Sequence, residues 1–223
     1  MNKKNQFIPY SRPNNSTDEL IKNSNSFFEK MQERRSVRTF SKKKIPKKVI
    51  ENIIMTAGTS PSGANKQPWT FCIISNEELK CKIRRLAEKE EFENYHGRMS
   101  ENWIQDLEPM ATNHIKEFLE IAPYLIIIFK KVYDLDEKKK KHLNYYVNES
   151  VGIASGFLLT AIHQAGLVAL THTPSPMNFL QKALNRPANE RAFLLLPVGY
   201  PVENCKVPDI KRKSLNEIIS WYL

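Results

Sequence analysis

The sequence predicts a fold of the α/β (α+β) class, in which a central sheet carries helices on both faces. Hydrophobic residues make up 41% of the 223 residues, which is enough for a proper core and too many for a disordered chain. Segments with helical periodicity alternate with a few short apolar runs, and this alternation is typical of such layered sheets. The length indicates a single domain of ordinary size, or one domain with arms.

The first part of the chain predicts two helices, a strand and a third helix. Ser16 and Glu19 form a capping-box pattern, which predicts a helix that continues toward Arg34. Pro46 suits the first turn of a second helix, and Gly58 ends it. The next predicted elements are a buried strand at 69–74 and a helix at 77–88 that is capped by Asn76.

The second part of the chain predicts four helices and three strands. The longest helix, over 143–164, is apolar nearly all round in its middle, and Gly166 ends it. Because a helix without a polar face must be covered on all sides, we expect a second subunit to pack on it. The other predicted elements are helices at 113–119, 178–184 and 215–222 and strands at 124–129, 168–171 and 193–198.

Residues 90–112 are charged and carry only spaced aromatic residues, without a clean period. This composition predicts a mobile lid. We therefore predict an N-terminal arm over 1–24 and a single domain over 25–223 that includes the lid.

Charge and cysteine content narrow the possible partners and compartments. The net charge of +10 comes mostly from scattered lysines without interleaved aromatics, so we expect no nucleic-acid partner. We assign part of the excess positive charge to attraction of an anionic cofactor. Three cysteines without metal-ligand spacing favour a reducing compartment and predict no metal site. The longest apolar run, 124–129, is too short to span a bilayer, so we expect a cytoplasmic protein without a membrane anchor.

Two short segments point to a phosphorylated planar cofactor. Residues 34–38 (Arg-Arg-Ser-Val-Arg) place three guanidinium groups within five residues, and a guanidinium matches phosphate oxygens. Residues 60–69 form a loop of small residues, where a flat ligand can approach backbone amides. Taken alone, each segment also fits a solvated face or an ordinary turn, and the loop lacks the Walker and dinucleotide-binding glycine patterns.

With these motifs the chain resembles the flavin-dependent nitroreductase superfamily, and within it most closely the iodotyrosine deiodinases. The matching segments are the arginine-serine run at 34–38, the Pro-Ser-x-x-Asn-x-Gln-Pro-Trp loop at 61–69 and the Leu-Pro-x-Gly-Tyr-Pro segment at 196–201. The resemblance covers about 27–216. It implies a nitroreductase-like three-layer fold with a mixed central sheet, in an intertwined homodimer with two flavin sites at the interface.

The resemblance also implies FMN as the cofactor. The residues that it assigns to FMN are Arg34, Arg35, Ser36, Arg38, Pro61, Ser62, Gly63, Thr171, Thr173 and Arg212. Thr173 is implied to donate a hydrogen bond toward flavin N5, which makes it the candidate catalytic residue. Ser62 is implied to contact the flavin of the partner subunit. The residues alone also fit simpler interpretations. Arg212 then carries a surface charge, and Thr173 is a strand-end threonine that bonds locally.

Three residues in and after the lid distinguish the deiodinases in this resemblance. Glu91 and Tyr95 are spaced i, i+4 and share one helix face, and Lys116 follows on the next helical segment. They are implied to grip the amino-acid part of iodotyrosine, because a buried zwitterion needs a counter-charge at each end. Backbone amides around Ala64 are implied to receive the phenolate. By composition alone, the alternative is that these three residues lie on a solvent-exposed face and bind no substrate.

The predicted function is FMN-dependent reductive deiodination of mono- and diiodotyrosine to tyrosine and halide. We expect the electrons to derive from NAD(P)H, directly or through a separate reductase. Two alternatives stay open: a general NAD(P)H-dependent nitroreductase or quinone reductase, and a flavin-storage or flavin-sensing protein without turnover.

Overall fold

The computed structural model of the protein describes residues 7–223, in two compact units that divide between Arg34 and Arg35. The first unit consists mainly of helix α1 (Thr17–Gln32). Its predicted capping box is confirmed: the Ser16 hydroxyl accepts from the Glu19 amide at 3.3 Å, and the Glu19 carboxylate accepts from the Ser16 amide at 2.8 Å. The arm boundary at residues 24 and 25 stays a prediction, and residues 1–6 of the arm lie outside the described part.

The second unit is built from six helices and six strands. Its helices are α2 (Lys47–Gly58), α3 (Glu77–Glu93), α4 (Glu101–Leu107), α5 (Phe118–Ile121), α6 (Val147–Gln164) and α7 (Asn178–Ala183). Its strands are β1 (Trp69–Ile74), β2 (Tyr124–Lys131), β3 (Tyr133–Leu135), β4 (Lys141–Leu143), β5 (Val168–Ala169) and β6 (Glu190–Gly199). Within residues 7–223, no helix is long and apolar enough to cross a bilayer.

Four strands form the central sheet in the order β1-β2-β6-β5, and each neighbouring pair is antiparallel. In the middle of the sheet, Ile127 of β2 lies opposite Leu195 of β6. A parallel bridge between Ser36 and Ala169 gives the sheet its mixed character. β3 and β4 form a separate hairpin.

Helices cover both faces of the sheet, which confirms the predicted three-layer fold. Side chains of β2 alternate between the two cores, with Ile127 in one and Ile126 and Ile128 in the other. α3, α5 and α7 contribute to the first core, and α2 and α6 contribute to the second. Because both faces are buried, β2 is a continuous apolar run rather than an alternating one.

The middle of helix α6 is apolar nearly all round, as predicted, and its apolar residues are partly buried and partly exposed. Val151 and Leu158 are fully buried, whereas Ile153 and Phe157 remain 43% and 41% exposed. Gly166, at φ 74°, follows the end of the helix as predicted. Within residues 7–223, one face of α6 is therefore apolar and exposed.

Several predicted elements differ in extent or burial. Among them, β5 covers Val168–Ala169 rather than 168–171, and α3 continues to Glu93 rather than ending at 88. β1 is only partly buried because it is the edge strand of the sheet. α6 begins at Val147 rather than at 143, since 141–143 belongs to β4. The helix predicted at 113–119 forms only as α5, because the Lys116 amide donates to the Glu88 side chain instead of to a helical carbonyl. The helix predicted at 215–222 is a single turn, Leu215–Glu217.

The segment predicted as a lid is largely helical. Residues 90–112 comprise the end of α3, a wide helical turn at Asn94–Arg98, α4 and a short turn at Glu108–Met110. The mobility of this segment stays a prediction.

Candidate functional site

Glu91 and Lys116, two of the predicted substrate-binding residues, form a buried ion pair. Lys116 Nζ lies 3.2 Å from Glu91 Oε2. Only 6% of Glu91 and 3% of Lys116 is exposed. Both charges are removed from water, so each is stabilised by its partner. Removing one partner leaves the other charge buried with nothing to offset its desolvation cost.

The Lys116 ammonium has three hydrogen-bond acceptors around it. Besides pairing with Glu91, Nζ donates to Thr112 Oγ1 at 3.2 Å and to the carbonyl of Asn113. Burial lowers the pKa of Lys116, and the Glu91 carboxylate opposes this effect. Glu91 is thus the group that favours the charged ammonium.

Side chains of α3 hold the Lys116 segment in place. Glu88 Oε1 accepts from the Lys116 amide at 2.7 Å and from Arg84 Nε at 2.7 Å. Arg84 also pairs with Glu120 at 3.1 Å. These contacts dock the loop before α5 onto α3, one helical turn before Glu91.

Tyr95 completes a cluster that we call the clamp, defined by Glu91, Tyr95 and Lys116. The Tyr95 hydroxyl donates to the Thr112 carbonyl at 3.3 Å. Lys116 Nζ lies 5.7 Å from the centroid of the Tyr95 ring. Burial raises the pKa of Tyr95, so the hydroxyl keeps its proton and acts as a donor. The structure therefore brings together the three side chains that the sequence assigned to the substrate.

Arg38 connects the clamp with the residues predicted to bind the cofactor. Burial raises the pKa of Tyr95 and lowers that of Lys116, and the Arg38 charge opposes the first shift and adds to the second. With Thr112 and Phe118, Arg38 lines a cavity of about 620 Å³. Another cavity of about 690 Å³ has a different lining, which includes Lys42, Lys80 and Glu120 and none of the predicted site residues.

Predicted cofactor-binding residues converge beside β5. Ser36 bridges Ala169, and the Val37 amide donates to the Ala169 carbonyl at 3.2 Å. The Arg35 guanidinium donates to the Pro208 carbonyl, which brings the segment after β6 back to Arg35. That segment leads to Arg212, another of the residues that the family resemblance assigns to FMN.

Thr171 and Thr173 follow β5 and share one side of the chain. Both are exposed, whereas His172 between them is buried, because side chains alternate along extended backbone. Two backbone hydrogen bonds between His172 and Leu195, at 2.9 and 3.0 Å, fix this alternation. Thr171 and Thr173 therefore lie on the exposed side of the segment that follows β5.

The roles of Arg34 and Arg212 stay predictions. Arg34 ends the first unit, where its amide donates to the Met31 carbonyl at 3.3 Å. Arg212 is exposed in the segment after β6.

The small-residue loop has an unusual backbone. Ala64, Asn65 and Gln67 have left-handed φ angles of 46°, 54° and 48°. The Gln67 amide donates back to Ser62 Oγ at 2.9 Å. Within residues 7–223 the Ala64 amide has no acceptor. An open amide at this position is what the predicted phenolate contact requires.

Gly63 of this loop packs against the start of α6. A Cβ added at Gly63 would meet Tyr146 Cδ2 at 3.0 Å, so the loop packs closely there. The Gly63 amide donates to Ser150 Oγ at 3.4 Å, and Pro61 is exposed. In the described chain, no hydrogen bond of the loop reaches Arg35 or Thr173.

His172 is a buried polar residue to which the sequence analysis assigned no role. Its Nε2 is buried without a hydrogen-bond partner among the described residues, and the Phe118 ring packs edge-on against it at 5.6 Å. Burial, with added repulsion from Lys116 and Arg38, lowers the pKa of His172 from 6.5 to about 3. His172 could not be singled out from the sequence, since one histidine at the end of a strand belongs to no recognisable motif.

We predict that His172 makes the protein less stable in mild acid. The unfolded chain binds a proton below pH 6.5, whereas the folded chain does not bind one until about pH 3. Stability therefore rises with pH in this window, and between pH 7 and pH 5 wild type is expected to lose about 2 kcal/mol more than His172→Gln. Urea unfolding of both proteins at the two pH values measures this, and equal losses would contradict the prediction.

The fold and the site define a class of protein. The Nitroreductase family model matches residues 31–200, and the chain belongs to this family. Its relatives include the iodotyrosine deiodinase of Haliscomenobacter hydrossis, which is 58% identical over 222 residues that cover all of both chains. Iodotyrosine deiodinase 1 of Homo sapiens is 46% identical over 215 residues, which cover 96% of this chain and 74% of the human protein.

A solved structure is similar throughout the chain. It is the crystal structure of an oxidized iodotyrosine deiodinase bound to FMN and 3-iodo-L-tyrosine. It superposes with a TM-score of 0.77 at 31% identity and covers 88% of this chain and 99% of its own.

Proposed function

We propose that this protein is an FMN-dependent reductive dehalogenase that converts mono- and diiodotyrosine to tyrosine and halide. The observation that carries the proposal is the clamp, in which a carboxylate and an ammonium are buried together beside a phenol. Such a pair suits a ligand with both a positive and a negative charge. The deiodinase names of close, nearly full-length relatives support the same substrate class.

In this proposal the substrate exchanges with the ion pair of the clamp. Glu91 takes the substrate ammonium, and Lys116 takes the substrate carboxylate. Glu91 and Lys116 each keep a counter-charge, so binding of a zwitterion leaves no buried charge unpaired. A halophenol with only one of the two charges leaves the other clamp residue unpaired, which disfavours its binding.

The residues near β5 and the small-residue loop fit FMN. The guanidinium of Arg35 and the hydroxyl of Ser36 suit a phosphate, and Arg212 lies four residues after the Pro208 carbonyl that Arg35 binds. The exposed hydroxyls of Thr171 and Thr173 suit the polar atoms of a ring system. We propose that these residues, with Arg34 and Arg38, hold FMN.

When bound in its reduced form, FMN would supply the two electrons that, together with one proton, replace the carbon–halogen bond by a carbon–hydrogen bond and release halide. The Ala64 amide stabilises the phenolate of the substrate, since its N–H is open to an oxyanion. The Thr173 hydroxyl, which is on the exposed side of the chain, would donate a hydrogen bond to the flavin ring at N5. The clamp fixes the amino-acid end and so holds the halogenated ring in register with the flavin.

We also propose that the active form is a homodimer. The exposed Ile153 and Phe157 on α6 offer an apolar face to a second copy. Among the described residues, the hydrogen bonds of Ser62 and Gly63 stay within the loop or go to Ser150 of α6. This arrangement supports a site in which the loop of one subunit serves the flavin of the other.

The electron source and the compartment are further parts of the proposal. We propose that electrons derive from NAD(P)H, directly or through a separate reductase, and that the protein is cytoplasmic. A general nitroreductase is the second candidate function, because structures of lower identity share this fold.

Halide release is the experiment that tests the proposed function. We expect purified yellow protein to release iodide from diiodotyrosine with dithionite and to form tyrosine. NADH oxidation with a nitroaromatic, measured in parallel, reports the second candidate. Nitroaromatic turnover without iodide release would support the nitroreductase instead, and neither activity in FMN-loaded protein would favour a storage or sensing role.

A further inference from the structure

We propose that Thr112 is a positioning residue of the clamp, which orients both Tyr95 and Lys116 toward the amino-acid end of the substrate. Its hydroxyl oxygen accepts from Lys116 Nζ at 3.2 Å, and its carbonyl oxygen accepts from the Tyr95 hydroxyl at 3.3 Å. One residue thus bonds two of the three clamp side chains. The inference rests on the proposed function and adds a specificity determinant to it.

The backbone before Thr112 sets the direction of both of its oxygens. Ala111 has left-handed angles, φ 46° and ψ 45°, and closes the turn Glu108–Met110. A non-glycine residue in this region reverses the chain locally at an energetic cost. The reversal directs the carbonyl and the hydroxyl of Thr112 to the side where Tyr95 and Lys116 lie.

The three acceptors of the Lys116 ammonium explain why Thr112 matters once substrate is bound. In the structure these acceptors are Glu91, the Thr112 hydroxyl and the Asn113 carbonyl. When Glu91 turns to the substrate ammonium, the substrate carboxylate takes its place on Lys116. Thr112 and Asn113 then hold the other two N–H groups and fix the direction of the third. Without the Thr112 hydroxyl, one buried N–H has no acceptor, which is costly next to a charge.

Thr112→Val tests the proposal because it removes the hydroxyl and keeps the size of the side chain. Thr112→Ser keeps the hydroxyl and serves as the rescue variant, and Thr112→Ala replaces Val if that variant does not fold. The control is Thr56→Val on the exposed side of α2, where the threonine hydroxyl donates only to the Asn52 carbonyl. All variants are measured as FMN-loaded protein.

Two ligands separate positioning from a general structural effect. The dissociation constants of 3-iodotyrosine and of 2-iodophenol, which has no amino-acid end, are measured by quenching of flavin fluorescence. We expect Thr112→Val to weaken 3-iodotyrosine binding about tenfold, the scale of a lost hydrogen bond to a charged group. Binding of 2-iodophenol is expected to be unchanged, and Thr112→Ser and Thr56→Val are expected to resemble wild type.

The outcomes distinguish this inference from the proposed function. Equal weakening of both ligands, or no change in Thr112→Val, overturns the positioning role. If wild type itself binds 3-iodotyrosine no better than 2-iodophenol and releases no iodide from it, the proposed function fails instead. Loss confined to 3-iodotyrosine, with rescue by serine, supports Thr112 as part of the clamp.

Discussion

Glu91→Gln is expected to weaken binding of 3-iodotyrosine by about 2–5 kcal/mol, the scale for removing one partner of a desolvated charge pair. The amide keeps the shape of the side chain and loses the negative charge that the substrate ammonium needs. FMN affinity is expected to hold, because Glu91 bonds to Lys116 and not to the segments assigned to FMN. Titration of FMN-loaded protein with 3-iodotyrosine, followed by flavin fluorescence, measures the loss.

Glu93→Gln is the matched control for this prediction. Glu93 lies two residues further along α3 and is exposed, so the substitution changes the net charge equally without touching the buried pair. Its binding constant is expected to equal that of wild type. If both variants lose affinity to the same extent, the effect is general electrostatics, and the clamp is not the substrate site.

Lys116→Met is expected to destabilise the protein by about 3–5 kcal/mol, because it leaves the Glu91 carboxylate buried without its partner. The double variant Glu91→Gln/Lys116→Met removes both charges and is expected to recover most of this loss. The recovery applies to stability alone, since the double variant has no charge with which to hold a zwitterion. Urea unfolding of FMN-loaded protein at one fixed concentration measures the three free energies.

Lys82→Met provides the control for stability. Lys82 is exposed on α3, and its replacement is expected to change the free energy of unfolding by no more than about 0.5 kcal/mol. A double variant as unstable as Lys116→Met would show that the cost comes from lost packing rather than from an unpaired carboxylate. Recovery of 3-iodotyrosine binding in the double variant would remove the ion pair from the substrate site.

Local sequence signals predicted the elements that depend on neighbouring residues. The capping box at Ser16 and Glu19, the cap of α3 at Asn76 and the end of α6 before Gly166 are all confirmed. Each is set by hydrogen bonds or backbone preferences within a few residues. Strand β2 was also predictable, since an apolar run buried on both faces needs no partner to be recognised.

Elements that depend on distant contacts were predicted less well. The segment 113–117 has helical composition, but Glu88, which is remote in sequence, accepts from the Lys116 amide and ends the helical pattern there. The hairpin of β3 and β4 was missed because its strands are only three residues long each and a lysine run lies between them. The tail after Leu215–Glu217 is not helical, since a short isolated segment gains little from helix formation.

The sequence by itself determined the layered fold, the family resemblance and the identity of the clamp residues, because these depend on patterns and motifs along the chain. Only the tertiary structure decided that Glu91 and Lys116 form a buried ion pair, that Thr112 joins Tyr95 to Lys116, and that His172 is buried beside two cations. These contacts join separate elements, and their strength depends on burial. Burial is a property of the packed molecule, since water is excluded only when the helices and the sheet close over the site.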